Sequence, residues 1–202
     1  MSRVLPILFN MEMVRSILDC RKSCTRRIIK PQPQGYFEVS EEPLYIYDTD
    51  GKQGKITPPY QPGDILYVRE TFIQAAAHIF WYKADDKPWM SKDLLWKPSI
   101  HMPKEAARIW LKVTDVRVER LQDITGLSVQ KEGIEVDPNE CASKFDFISE
   151  LFLLFQRLWD STIKKSNLNH YGWDANPYVW VIEFERCEKP KEEKGNDSGN
   201  YK

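Results

Sequence analysis

Along the first thirty residues the hydrophobic positions change period twice. Val4 to Phe9 is a short apolar run that predicts a strand. Asn10 is an N-capping residue type, and Met13, Val14, Ile17 and Leu18 follow at helical spacing, which predicts a helix to about Asp19. The segment Cys20–Cys24 starts as a turn. Thr25 to Ile29 is strand-like, and Pro31 and Pro33 end it by removing ladder donors.

Gln61-Pro62-Gly63-Asp64 reads as a tight turn, with proline presetting φ and glycine taking φ > 0. The strand predicted after it, Ile65 to Phe72, puts Leu66, Val68, Glu70 and Phe72 on one face. A carboxylate on an apolar face is costly unless it is paired or lines a pocket, which singles out Glu70. Ile79 to Lys83 is a further strand, closed by Asp85–Pro88. Arg108 to Arg120 is the longest strand, and its apolar phase switches from Ile109, Leu111 and Val113 to Val116 and Val118. That switch predicts a bulge near Thr114 or Asp115. Thr125 to Glu132 should be a short helix stopped by Gly133. Ser143 should cap a helix over 144–161, with Phe145, Ile148, Phe152, Phe155 and Trp159 as its apolar stripe. Tyr178 to Phe184 is apolar on both faces until Glu183, the pattern of a central strand.

Between these elements, 31–60 and 78–105 read as insertions. The first carries a hairpin at Leu44–Asp48 and a turn at Asp50-Gly51; Trp89–Lys104 in the second is irregular. Residues 163–176 are polar and turn-rich, and 188–202 have the composition of a disordered tail. The order of elements predicts an α+β fold, a small mixed β-barrel with flanking helices, as one domain over 1–187.

Composition narrows the partners. The 202 residues carry a formal net charge of -1, so no global field draws the protein onto nucleic acid. Residues 1–30, however, hold seven basic residues against Glu12 and Asp19, a local excess suited to a phosphate or other anionic ligand. Cys20, Cys24, Cys141 and Cys187 form no C-x-x-C pair and the histidines lack zinc-finger spacing, so reduced thiols and no metal or cofactor are expected. Neither a signal peptide nor a membrane span is read, and the expected location is cytoplasmic.

The segment Cys20-Arg21-Lys22-Ser23-Cys24-Thr25-Arg26-Arg27 carries the candidate chemistry. It resembles the ASCH family signature G-x-K-x-x-x-x-R, with Cys20 where that family has glycine and Ser23 where threonine is usual. Gly63-Asp64 before a strand and the closing Val179–Phe184 are similar to later family features, and Ser99–Pro103 and Gly172–Pro177 look like its longer prophage-encoded members. The resemblance implies a PUA-like barrel with a cleft for a nucleoside or nucleobase ligand, or for RNA. Small family members are similar to N4-acetylcytidine amidohydrolases. On that likeness Lys22, Thr25 and Glu132 would be catalytic: a partly dry lysine as base, threonine as the nucleophile it activates, and glutamate either as proton donor to the leaving amine or as the group that orients the attack. Read without the family, Lys22 and Glu132 form a structural ion pair and Thr25 is a β-branched strand residue.

Secondary candidates surround that trio. Arg69 and Glu70 would hold a base edge or form a strand salt bridge. Arg27 would bind phosphate or anchor a loop carbonyl. His101 would reach the pocket from a loop, and Trp173 would stack on a base. Three functions remain open: an amidohydrolase acting on an acylated nucleoside, a PUA-like module binding RNA or a modified base without turnover, and a phage interaction protein with a vestigial pocket.

Overall fold

The computed structural model describes residues 2–34, 36–41, 44–48, 54–85, 87, 90, 94–137, 139 and 141–191. The chain is mixed α+β. Its main sheet has the order β1 (Val4–Leu8), β6 (Ile65–Arg69), β9 (Trp110–Arg120), β10 (Tyr178–Cys187), β2 (Cys24–Ile28). β1 runs parallel to β6, and the other three pairings are antiparallel. β1 and β2 are therefore the two edges, and no ladder joins them among the described residues.

Local sequence explains most boundaries. Asn10 accepts the Met13 N–H at 2.8 Å and starts α1 (Met11–Leu18). Thr125 and Ser143 cap α2 (Gly126–Lys131) and α3 (Lys144–Ser161) in the same way. At the 61–64 turn, Asp64 N–H donates to the Gln61 carbonyl at 3.0 Å and Gly63 sits at φ 89°. The Asp64 carboxylate, buried behind it, accepts the Gln61 N–H and the Arg3 guanidinium, fixing the entry to β6. The bulge falls on Thr114: Glu183 pairs with Asp115 and Phe184 with Val113, so one β9 residue is left over.

Two apolar clusters cover the two faces of β10 and β2. One, with Phe9, Val14, Ile17, Leu66, Val113, Ile182 and Phe184, lies on the α1 side. The other, with Cys24, Val179 and Val181, lies under Leu151, Phe155 and Trp159 of α3. The helix spans the expected residues, but two members of its expected apolar stripe are outside the core: Phe145 is 78% exposed and Ile148 38%, while Leu151 is buried. The side of α3 that meets the core runs through Phe147, Leu151, Phe155 and Trp159 at a spacing of four, which leaves Phe145 and Ile148 off it.

The 31–60 segment forms an antiparallel sheet of β3 (Phe37–Glu41), β4 (Leu44–Asp48) and β5 (Gly54–Ile56), which sends Leu44, Ile46 and Ile56 into the main core. The turn expected at Asp50-Gly51 lies outside the described residues. The strand expected from Ile65 to Phe72 breaks at Glu70-Thr71, and β7 (Phe72–Ala76) pairs instead with β8 (Ile79–Tyr82) as a separate ribbon. Within 163–176 the chain makes single helical turns, including α4 (Leu168–Tyr171).

Candidate functional site

Both short helices end in the same device. At the end of α1 the Arg21 N–H reaches the Ser16 carbonyl at 2.8 Å and the Cys20 N–H reaches Ile17 at 3.1 Å, with Cys20 left-handed at φ 59°. This is a Schellman cap, in which the left-handed position is usually glycine. Cysteine here keeps the turn that a glycine would make. The end of α2 repeats the left-handed cap at Gly133, φ 90°, whose N–H donates to Gln130.

The two ends are packed directly together. A Cβ on Gly133 would lie 2.7 Å from Ser16 Cβ and 3.0 Å from Lys22 Cβ. Ser23 N–H donates to the Lys131 carbonyl, and Lys22 and Glu132 form an isolated antiparallel bridge. The glycine thus permits an approach that brings the Glu132 side chain onto Lys22.

Lys22 Nζ donates to the Glu132 carboxylate at 2.7 Å, to the Glu132 carbonyl at 2.9 Å and to the Cys24 carbonyl at 2.7 Å. All three ammonium protons are used, one of them on a carbonyl at a helix C-terminus, where positive charge is favoured. The second Glu132 oxygen accepts from Arg26 at 3.2 Å, and Arg26 reaches Glu119 at 3.1 Å. From Glu119 the network continues outward through Arg117 to Asp115 and Glu183, and Lys131 also binds Glu183. Burial pulls the Lys22 pKa down, opposed by the charge and hydrogen bond of Glu132. Burial, with Glu132 nearby, pushes the Cys24 thiol up to about 12, so it is an inert packing group.

Thr25 belongs to the same neighbourhood but not to the network. Its side chain lies on the opposite face of β2 from Cys24 and Arg26, and among the described residues its hydroxyl makes no hydrogen bond. Lys22 is 4% exposed and Thr25 1%, so neither opens on solvent in this conformation. The sequence therefore located a real convergence of Lys22 and Glu132. It missed Arg26, the residue that shares Glu132, whose only sequence signal was its place in the basic run.

Arg27 differs from its neighbours. Its guanidinium crosses the seam between the two sheet edges, donating to the Leu8 carbonyl of β1 at 3.2 Å and to Arg26 of β2 at 3.3 Å, and lies 5.5 Å from the centre of the Phe9 ring. The Lys22 ammonium lies 5.6 Å from the same ring. No carboxylate lies within ion-pair distance of Arg27 among the described residues, and burial lowers its pKa.

The remaining candidates have structural partners. Glu70 pairs with Arg108, not with Arg69: two parallel hydrogen bonds of 2.8 and 2.9 Å hold its buried carboxylate, and Arg108 continues to Asp85 at 2.6 Å over the Tyr82 ring. Burial still raises the Glu70 pKa against those bonds. Arg69 donates to the carbonyls of Ile100 and Met102 and so anchors the Ser99–Pro103 loop. His101 within that loop is exposed and bonds to none of the trio among the described residues. Trp173 packs edge-on against Phe155 with ring centres 5.9 Å apart, and its backbone N–H is held by Asp160. It borders a cleft of about 550 Å³ with Asp160 and Asp174, which contains none of the trio.

Among the described residues no cluster of His, Cys, Asp and Glu has metal-site geometry, and no helix is long and apolar enough to cross a membrane. No protein-family model, curated protein or solved structure matches the chain.

Proposed function

We propose that this protein recognises a nucleoside or nucleobase, free or within RNA, on a PUA-like barrel whose seam between β1 and β2 is bridged by Arg27 rather than by a strand ladder. In this reading the Lys22–Glu132–Arg26 cluster is a rigid base that fixes β2, and recognition proceeds without turnover. The observation that carries it is the saturation of the cluster. Every proton of Lys22 and both carboxylate oxygens of Glu132 are engaged by protein, which leaves no free base or acid. Arg27, on the same strand, has no carboxylate partner among the described residues. The ASCH resemblance supplies the ligand class.

A second reading, hydrolysis of an N4-acetylcytidine-like substrate, has its own observation. Burial lowers the Lys22 pKa, and the nearby Thr25 hydroxyl is uncommitted. Turnover would require the ligand to draw Glu132 or Lys22 out of the cluster. Titration with free and modified nucleosides and short single-stranded RNAs tests the first reading. Binding that persists in Thr25→Ala supports recognition; no binding of any of them at low salt removes it and leaves an interaction role.

A further inference from the structure

The bulge at Thr114 leaves the second half of β9 without a partner on one side. Before it, Val113 turns to the β6 side: its N–H donates to the Asp64 carbonyl at 2.9 Å and its carbonyl accepts the Gly63 N–H at 2.8 Å. Beyond it, the Leu121 N–H donates to the Pro177 carbonyl, in the register that pairs Asp115 with Glu183. Hydrogen-bonded pairs alternate in an antiparallel ladder, so Asp115, Arg117 and Glu119 bond to β10. The N–H and C=O groups of Val116 and Val118 then point the other way. β6 pairs only with Trp110, Leu111 and Lys112, so no strand of the sheet meets those groups among the described residues. No other hydrogen bond reaches them there, although Val116 is only 5% exposed. Backbone groups buried this far are in general paired, so a partner is missing.

This edge opens on a cleft. A space of about 390 Å³ is lined by Val39, Leu44, Pro62 and four consecutive residues of β9, Asp115 to Val118. Side chains alternate between the faces of a strand, so four residues in a row line one cavity where it meets the strand's edge. Val39 pairs with Ile46 and shares its face, the one that Leu44 and Ile46 turn to the core, yet it is half exposed. The gap between that face and β9 is therefore unfilled at Val39. Apolar walls with a few fixed polar groups along one side are the make-up of a small-ligand site. The rim does not favour an anion: Arg117, the cation of the cleft, already holds Asp115, Glu119 and Glu183 at 2.8, 2.7 and 2.8 Å.

We propose that this cleft holds the base of an uncharged nucleoside, with the base's Watson–Crick edge against the free edge of β9 at Val116 and Val118. The inference rests on the nucleoside reading above and specifies it: the base is read by backbone groups, and its faces lie between apolar walls. A base edge carries neighbouring donors and acceptors, such as the exocyclic amine and N3 of cytosine, and a strand edge offers a C=O and an N–H in turn. At the rim Asp115 gives one carboxylate oxygen to Arg117, and the other, without a partner among the described residues, is available to a ribose hydroxyl.

Calorimetric titration with uridine and cytidine tests this, each beside an uncharged analogue methylated on that edge, 3-methyluridine and N4,N4-dimethylcytidine. Edge methylation should weaken binding at least about tenfold, the loss of one or two hydrogen bonds. Val118→Pro removes one outward N–H without breaking a ladder bond, which a strand edge tolerates, and should cost about three- to tenfold in affinity. Val39→Trp fills the cavity from a half-exposed position, should abolish binding, and carries the test if Val118→Pro unfolds. Nucleoside binding that is indifferent to edge methylation and to both substitutions overturns this site and leaves the nucleoside reading standing. A nucleoside 5′-monophosphate that binds more than about tenfold tighter than its nucleoside overturns the site too, since the cleft has no free cation for it. A dimer by light scattering that Val118→Pro dissociates assigns the edge to a strand of a second copy and likewise overturns it. No binding of any nucleoside overturns both this site and the reading it rests on.

Discussion

Replacing Cys20 by glycine should stabilise the protein. Cys20 occupies the left-handed position of the Schellman cap, φ 59°, its side chain is exposed, and the cap hydrogen bonds are made by the backbone. A residue with a Cβ spends about 1–2 kcal/mol in that region. Glycine avoids this strain but loses roughly 0.5–1 kcal/mol to its greater freedom in the unfolded chain. The balance lies between about 0 and 1.5 kcal/mol, centred on a gain of roughly 0.7 kcal/mol, and no packing is lost against it. For a chain of this length that is a rise of roughly 1–4 °C in melting temperature by scanning calorimetry under reducing conditions. Cys20→Ala is the control: it removes the thiol, keeps the Cβ and should leave the melting temperature unchanged. A Cys20→Gly variant that melts at or below the wild-type temperature would refute the strain argument.

Gly133→Ala should be destabilising by roughly 2–4 kcal/mol in urea titrations, since a Cβ would meet Ser16 Cβ at 2.7 Å at a φ of 90°; a loss below about 1 kcal/mol would show that the junction can relax. Arg108→Ala leaves the Glu70 carboxylate buried without its partner and should cost about 3–5 kcal/mol, part of which Glu70→Gln in the same chain recovers by removing the charge. No recovery would mean that the cost is lost packing. Glu183 is pushed up by burial, but hydrogen bonds from Arg117 and Lys131 outweigh this and hold its pKa below the ordinary 4.5. The unfolded chain then binds more protons just below pH 4.5, so the stability Glu183 confers above that value is lost as pH falls through its folded pKa. Glu183→Gln should flatten the decline between pH 5 and pH 3 in urea titrations, and an unchanged slope would contradict this.

The elements governed by local rules were legible in the sequence. Asn10, Thr125 and Ser143 announced helix starts by their side-chain chemistry, Pro62-Gly63 announced the turn, and the phase switch in β9 narrowed the bulge to Thr114 or Asp115, of which it is Thr114. The buried side of α3 at its start was not legible, because its apolar residues fit two overlapping stripes and the core takes the one through Phe147 and Leu151. Phe145 lies to the side of that stripe and is left exposed. In the site, Lys22 and Glu132 were paired correctly, yet they are separated by 110 positions and meet only because Gly133 lets two helix ends touch. The sequence holds no sign that Arg26 would take the other Glu132 oxygen, or that Arg27 would span two strand edges. Both depend on strand alternation and sheet order, which are settled by long-range pairing. Glu70 was marked for the right reason, burial on an apolar face, but its partner Arg108 is 38 positions away and could not be chosen from the sequence.

The central claim, recognition without turnover on a scaffold whose Lys22–Glu132–Arg26 cluster is too fully engaged for acid–base chemistry, is tested most directly by one proton NMR time course. Protein and N4-acetylcytidine are mixed at equal concentration at neutral pH, and the acetyl methyl signal is followed. The account predicts that this signal broadens or shifts on binding while no free-acetate singlet grows. Growth of that singlet with wild-type protein, absent with Thr25→Ala and Lys22→Met, would contradict it and make the Lys22, Thr25 and Glu132 site catalytic.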